Sequence, residues 1–351
     1  MYKKRIVVND IAASTGGTLV ILKEFYKYIS KYGGEYEWIF LLGKRYVEEK
    51  ENIKVIVLEE VKNSWLKRLK FDLYKGKKYI NKLKPDVVIS LQNTIVFGLN
   101  IKQIVYIHQL IPFQKTKRFS FLKKDERLLF IHQYCIGFII KRSIKKADLV
   151  IVQTNCMKKA VLKETGVESK KIIIVTPDLQ LDNINNERID LKNNYFFYPA
   201  SNAIYKNYEC IFNACEILNK KSITNFKITL TIKEFGKRRL PNIKFVDKVS
   251  REQVIKKYAE SILLFPSYME SLGLPLLEAR KMGTIIFASD CDFSHEILDG
   301  YENAYFFDPF KPSELAGLIE NKINGEIELY RNVNKEIHSE NNDWKVIFEI
   351  I

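Results

Sequence analysis

Two glutamates, Glu270 and Glu278, stand in SYMESLGLPLLEARKMG with seven residues between them, and those residues suit chemistry on an anionic sugar donor. A strand-like run, SILLFPS, precedes the stretch, and a helix-forming run, LLEARKM, follows it. The pattern predicts strand, glycine-bearing loop and helix start, with one carboxylate on either side of the loop. Pro275 fits a first helical turn, where its missing N–H would have no acceptor. Gly273 lets the backbone come close to a ligand, and the open N–H groups of Gly273 and Leu274 at a helix start favour a diphosphate. The carboxylates can accept from sugar hydroxyls. Together they suit a nucleotide-sugar.

The elements that would carry these residues read as two α/β units. RIVVND, EWIFLL, NIKVIVLE, PDVVISL, KQIVYIH, ADLVIVQT and KKIIIVTP are Val- and Ile-rich strand patterns, separated by helical stretches such as LVILKEFYKYISKY and SWLKRLKFDLYKGKKYINKL. That alternation predicts a parallel sheet with crossover helices. A polar, Asn-rich stretch from Leu179 to Asn194 reads as a linker. The pattern restarts with YFFYPA, FKITLTI, IKFVD, SILLFPS and TIIFASD. The expected fold is α/β, two Rossmann-like domains facing a cleft. The expected boundaries are 1–180, a linker at 181–194, a second domain at 195–335, and a C-terminal segment at 336–351 that returns to the first domain. Ligands in such sheets bind at the carboxyl ends of the strands.

The Glu270 stretch resembles the motif of the retaining glycosyltransferase family four, of GT-B architecture: Glu, a Gly-Phe-Gly-Leu-Pro-like loop, then Leu-Glu-Ala. Ser271 and Leu272 replace the first Gly and the Phe. The resemblance continues through FASDCDFSHEI and YFFDPFKPSELAGLI, and covers roughly Tyr195 to Ile323. It implies that Glu278 holds the ribose hydroxyls and that Glu270 acts at the transferred sugar. Glu296 matches a further family Glu. In YPASNAIYKNYE the Lys206–Asn207 pair matches residues that grip the donor diphosphate. The family's Arg is Ser201 here, and Lys233 is a candidate substitute. His108, ending the strand VYIH, matches a His that touches the donor sugar, with Gln109 where an acid is common. Gly16 and Gly17, between the first strand and a helix, match a glycine pair near acceptor and donor phosphate. Trp344 matches a Trp near the helix that crosses back to the first domain.

Asp290-Cys291-Asp292 has the Asp-X-Asp form that binds a metal in another glycosyltransferase architecture. It falls where the family's own Ser-Asp lies, so no metal is expected. No cofactor is expected beyond the nucleotide-diphosphate sugar as substrate. The implied activity is retaining transfer of a hexose to a hydroxyl of a growing surface glycan, polysaccharide or lipid-linked. The competing readings are another GT-B enzyme, epimerase or phosphorylase, and a non-catalytic glycan-assembly scaffold.

Composition bounds the setting. Five scattered cysteines without metal-like pairing predict a reducing compartment. MYKKRIVVND runs straight into a strand, which predicts no cleaved leader. The formal charge of +15 comes without a nucleic-acid-binding motif, so no nucleic acid is expected. From Arg118 to Lys146, basic ends flank the thirteen-residue apolar run LLFIHQYCIGFII, too short to span a bilayer. It reads either as a core helix or as a segment on an anionic membrane surface. The expected location is cytoplasmic, peripheral at the inner face of the cell membrane.

Overall fold

The computed structural model describes residues 2–14, 16–115, 117–176, 190–191, 193–233, 240–247, 249–331, 333–334 and 344–351. Most of the expected linker lies outside them. The chain divides into two compact units, Met1–Asp178 with Ser339–Ile351, and Leu179–His338.

The N-terminal unit is a seven-stranded sheet: β1 (Arg5–Asp10), β2 (Glu37–Leu42), β3 (Ile53–Val57), β4 (Val87–Ser90), β5 (Lys102–Ile107), β6 (Leu149–Val152) and β7 (Ile172–Ile174). Its order is β3-β2-β1-β4-β5-β6-β7 and every pairing is parallel. Strands buried on both faces must be apolar throughout, which is why these runs do not alternate. The order reverses between β1 and β4, and loops leaving the two strands part there to open a crevice.

The C-terminal unit repeats the plan with six strands: β8 (Tyr195–Tyr198), β9 (Lys227–Leu230), β10 (Ile243–Phe245), β11 (Ile262–Phe265), β12 (Ile286–Ser289) and β13 (Ala304–Phe307). The order is β10-β9-β8-β11-β12-β13, again all parallel, with its switch point between β8 and β11. The sequence reading has five strands here. The sixth, β13, overlaps the start of YFFDPF, a stretch the sequence reading takes only as part of the family motif.

Two long helices of the N-terminal unit are interrupted. Residues 65–83 run as α-helix, a π turn at Phe71–Lys75, and α-helix again. Residues 127–146 do the same around a π turn at His132–Ile136. The second contains the apolar run, and the helix divides it. Gly137, Ile140, Ser143 and Ile144 are buried, while Leu128 and Phe138 stand 66% and 60% exposed.

Residues 344–351 pack into the N-terminal core. Trp344 lies edge-on to Phe25, with ring centroids 5.0 Å apart, and 5.6 Å from Tyr106. Phe348 stacks on Tyr28 and Tyr36. Burying large apolar side chains of this kind contributes about 1.5–3 kcal/mol each. The final helix, Val346–Ile350, has five residues and depends on these contacts.

Candidate active site

Both units place the expected residues at the carboxyl ends of strands. In the C-terminal unit, Lys206 lies in the loop after β8 and Glu270 in the loop after β11, so the two straddle the switch point. Lys206 Nζ donates to Glu270 Oε1, and each side chain is only 13% exposed. The lysine also lies over the rings of Tyr205 and Phe265. The Tyr198 hydroxyl bonds Lys206 O at 3.0 Å and meets Ser267 Oγ at 2.7 Å, tying the two loops together. An ion pair so nearly dry is held by geometry that leaves little room for either charge to wander.

Asn207 takes a left-handed conformation, φ 58°, and begins the helix Tyr208–Lys220. Its side-chain amide donates to Pro266 O and Pro309 O, at 3.2 and 2.7 Å. The side chain therefore braces the loop that presents Lys206. Asn tolerates this backbone better than most residues.

Gly273 is left-handed, φ 71°, directly before the helix Leu274–Met282. Leu276 N–H closes onto Gly273 O at 2.8 Å. Pro275 has no N–H, so the donors a ligand could use at this helix start are those of Gly273 and Leu274. A Cβ on Gly273 would sit 3.3 Å from Leu276 Cδ1, on top of the backbone strain.

Glu278 is buried, 7% exposed as a side chain. It accepts from Arg251 Nη1 at 2.6 Å and from the Tyr258 hydroxyl at 3.0 Å. Burial pushes its carboxyl up from the ordinary range, and the Arg251 guanidinium opposes that shift. Arg251 escapes the sequence reading, which looks for a cation near Ser201 or at Lys233. Lys233 is instead exposed and sits 3.7 Å from Asp247. The signal for Arg251 was its place after Ser250 in SREQ, a capping box that the structure completes through Gln253.

Asp290 Oδ1 is 2.6 Å from His295 Nε2, whose ring stacks on Phe306. Asp292 opens the helix Asp292–Leu298, and Glu296 lies half-buried within that helix. Among the described residues no group of three or more His, Cys, Asp or Glu side chains is placed to hold a metal ion.

In the N-terminal unit, Gly16 follows β1 with φ 66° and ψ −145°, a conformation only glycine adopts readily, and Gly17 opens the helix Gly17–Tyr32. His108 follows β5. Asn93, after β4, accepts the His108 and Gln109 backbone N–H groups on Oδ1, at 2.8 and 3.0 Å. Its Nδ2 then meets His108 Nε2 at 2.9 Å, so that nitrogen accepts and the ring proton sits on Nδ1. Burial pushes His108 down to about 4, which keeps it neutral near pH 7. Ser14 and Thr18, flanking the glycine pair, line one cavity of about 400 Å³ with His108.

Residues 180–339 match the family model described as glycosyl transferases group 1, which spans the C-terminal unit. The O-antigen chain mannosyltransferase RfbU of Salmonella typhimurium is 23% identical over 224 residues, 60% of this chain and 62% of that protein's length. Among solved structures, WaaG, a glycosyltransferase involved in lipopolysaccharide biosynthesis, superposes with a TM-score of 0.68 at 15% identity, over 92% of each chain. Anabaena HepE in complex with UDP-glucose gives 0.65 at 15% identity, over 92% of this chain and 90% of that one. Sucrose-phosphate synthase from Thermosynechococcus elongatus gives 0.66 at 16% identity, with the same coverage.

Proposed function

We propose that this chain, which has the GT-B fold and whose C-terminal unit belongs to the glycosyl transferases group 1 family, transfers a hexosyl group from a nucleotide-diphosphate sugar to a hydroxyl of a growing surface glycan. The observation that carries the reading is the part-buried Lys206–Glu270 ion pair across the β8/β11 switch point, beside the Gly273 helix start. Lys206 supplies a positive charge for the diphosphate, and the Gly273 and Leu274 N–H groups supply dipoles for it. Glu278, preset by Arg251 and Tyr258, takes the ribose hydroxyls with its remaining lone pairs. Glu270 stays beside the sugar when the phosphate draws Lys206 away.

The transfer proceeds with retention. The bond from the anomeric carbon to the phosphate oxygen breaks, and the acceptor oxygen bonds that carbon on the same face. The acceptor's proton passes to the departing phosphate. Stabilising the negative charge on that phosphate is the chief task of the site, and Lys206 with the helix start performs it without a divalent metal. In the N-terminal unit, His108, neutral near pH 7, and the Gly16–Gly17 turn suit contact with a sugar and a phosphate. No organic cofactor takes part, and the nucleotide-sugar is substrate.

The acceptor is carried at an anionic membrane surface, on its cytoplasmic side. No helix among the described residues is long and apolar enough to cross a membrane. Phe121, Leu122, Leu128 and Phe138 are exposed beside basic residues, with Arg127 over the Phe121 ring and Arg142 over the Phe138 ring. Each basic residue near an anionic leaflet contributes about 1 kcal/mol, screened by salt. Vesicle co-sedimentation tests the surface: pelleting with anionic lipid at low salt is expected, and pelleting no better than with neutral lipid contradicts it. The function itself is tested by thermal shift against UDP-, GDP-, ADP- and dTDP-sugars. A ligand at 100 times its dissociation constant adds roughly 2.7 kcal/mol, and stabilisation by none of the four refutes the reading.

A further inference from the structure

Arg251 is a cation that the diphosphate site does not use. It is the first residue of the helix Arg251–Glu260, and a capping box locks that start: Ser250 Oγ accepts the Gln253 N–H at 3.2 Å, and Gln253 Oε1 accepts the Ser250 N–H at 2.8 Å. From there the side chain reaches across to Glu278, with Nη1 donating to Oε1 at 2.6 Å. That is its one hydrogen bond among the described residues. The side chain is 48% exposed. A guanidinium has several N–H donors in a rigid fork. Nε–H and the neighbouring Nη2–H therefore remain as an unengaged edge of two parallel donors, held in place by the Nη1 contact.

The helix Leu274–Met282 sets these groups in order. Its start offers the Gly273 and Leu274 N–H groups. Glu278 follows a turn later, about 6 Å along the axis. Both of its oxygens are already held, Oε1 by Arg251 and Oε2 by the Tyr258 hydroxyl at 3.0 Å, and each keeps a lone pair for a ribose hydroxyl. Arg251 abuts Glu278 from the neighbouring helix. A nucleotide is built in the same order: diphosphate, ribose, base. With its diphosphate on the helix start and its ribose on Glu278, the base comes to the open edge of Arg251. This placement rests on the function proposed above.

We propose that Arg251 selects the base of the donor, and that the base is guanine. A planar fork of two N–H donors matches two adjacent acceptors. Guanine carries such a pair, O6 and N7, on one outer edge, and an arginine fork meets it with two hydrogen bonds. Adenine sets its N6 amino donor beside N7, so donor faces donor at one of the two positions. Uracil and thymine set O4 between an N–H and a carbon, and only one bond forms. Cytosine has a pair in O2 and N3, but O2 lies beside the glycosidic nitrogen, under the ribose rather than beyond it. A guanosine diphosphate sugar is therefore the donor that uses both open N–H groups. One good bidentate contact of this kind discriminates by about 5- to 150-fold.

The test is calorimetric titration of the full chain with GDP, UDP, ADP, dTDP and CDP, followed by two analogues that alter only the base. GDP should bind about fivefold or more tightly than each of the others. 7-Deaza-GDP, which has a carbon in place of N7, should lose that preference. Inosine diphosphate keeps O6 and N7 and lacks the 2-amino group, so it should bind within about twofold of GDP. Arg251→Lys keeps a charge beside Glu278 but not the fork, and it should bring the GDP and UDP affinities together. Should that variant fail to fold, the two analogues decide the matter on the parent protein. The proposal is overturned if GDP is not preferred, if 7-deaza-GDP binds as GDP does, or if inosine diphosphate loses the preference. It is overturned too if Arg251→Lys weakens every nucleotide alike, which would make Arg251 a phosphate ligand. Equal binding of all the nucleotides removes base selection and leaves the proposed function standing, whereas binding of none removes both.

Discussion

Replacing Lys206 by alanine should do two separable things. In the free protein it strips the partner from Glu270, a carboxylate only 13% exposed. Removing one member of a buried pair costs about 3–5 kcal/mol, and the slight exposure of both side chains puts this case near 3. For a unit of this size each kcal/mol moves the melting temperature by about 2–4 °C, so a fall of roughly 6–12 °C is expected. In the complex the variant loses a charge-assisted hydrogen bond to the diphosphate, worth about 1.5–3 kcal/mol, or roughly 10- to 150-fold in dissociation constant. Glu270→Gln separates the two effects. It frees Lys206 from its protein partner, so nucleotide diphosphate should bind at least as tightly as in the parent, while turnover falls. Calorimetric titration of UDP, GDP, ADP and dTDP into the parent and both variants decides the matter. Unchanged affinity in Lys206→Ala, or equal weakening in both variants, would refute the assignment of lysine to phosphate and glutamate to sugar.

Gly273→Ala forces an alanine to φ 71° against Leu276, at a cost of about 1–2 kcal/mol, and should weaken nucleotide diphosphate binding as the helix start shifts; unchanged calorimetric affinity would show that the loop does not contact the ligand. Burial pushes the carboxyls of Asp10 and Asp72 up to about 7, and a raised native value makes stability present below the ordinary value near 4 and lost as pH rises through 7. Each accounts for on the order of 4 kcal/mol across that window, so chemical denaturation of Asp72→Asn should show a flatter dependence between pH 4 and 7 than the parent. His108 works in the opposite sense, with stability present above 6.5 and lost as pH falls toward 4, and His108→Gln should remove that acid-side loss. Turnover should persist in excess chelator; activity lost there and restored by manganese would return the diphosphate to Asp290 and Asp292.

Much of this architecture is legible in the sequence because parallel strands buried on both faces leave continuous apolar runs, and twelve of the thirteen strands among the described residues announce themselves that way. The switch points are not legible, since strand order depends on which crossover helix packs on which face. For the same reason Lys206 and Glu270, 64 residues apart, could be nominated singly from motifs but not paired. Arg251 was missed because a half-exposed arginine on a helix looks like any solvated charge until its partner, Glu278, is seen beneath it. Asp72 was missed for a sharper reason. In KFDLYKG it looks like a polar residue on an amphipathic helix, and only the π turn rotates it inward. The apolar run at 128–140 admitted two readings, and the helix turns Gly137, Ile140 and Ile144 into the core while Leu128 and Phe138 face solvent.

The central claim is retaining transfer from a nucleotide-sugar, and the most direct measurement follows anomeric proton signals by NMR while the protein is incubated with UDP-, GDP-, ADP- and dTDP-hexoses and a lipid-linked glycan acceptor. The account predicts that one donor is consumed and that the new glycosidic bond carries the donor's own anomeric configuration, with Glu270→Gln slow under the same conditions. Consumption of none of the four, or a product of inverted configuration, would contradict it.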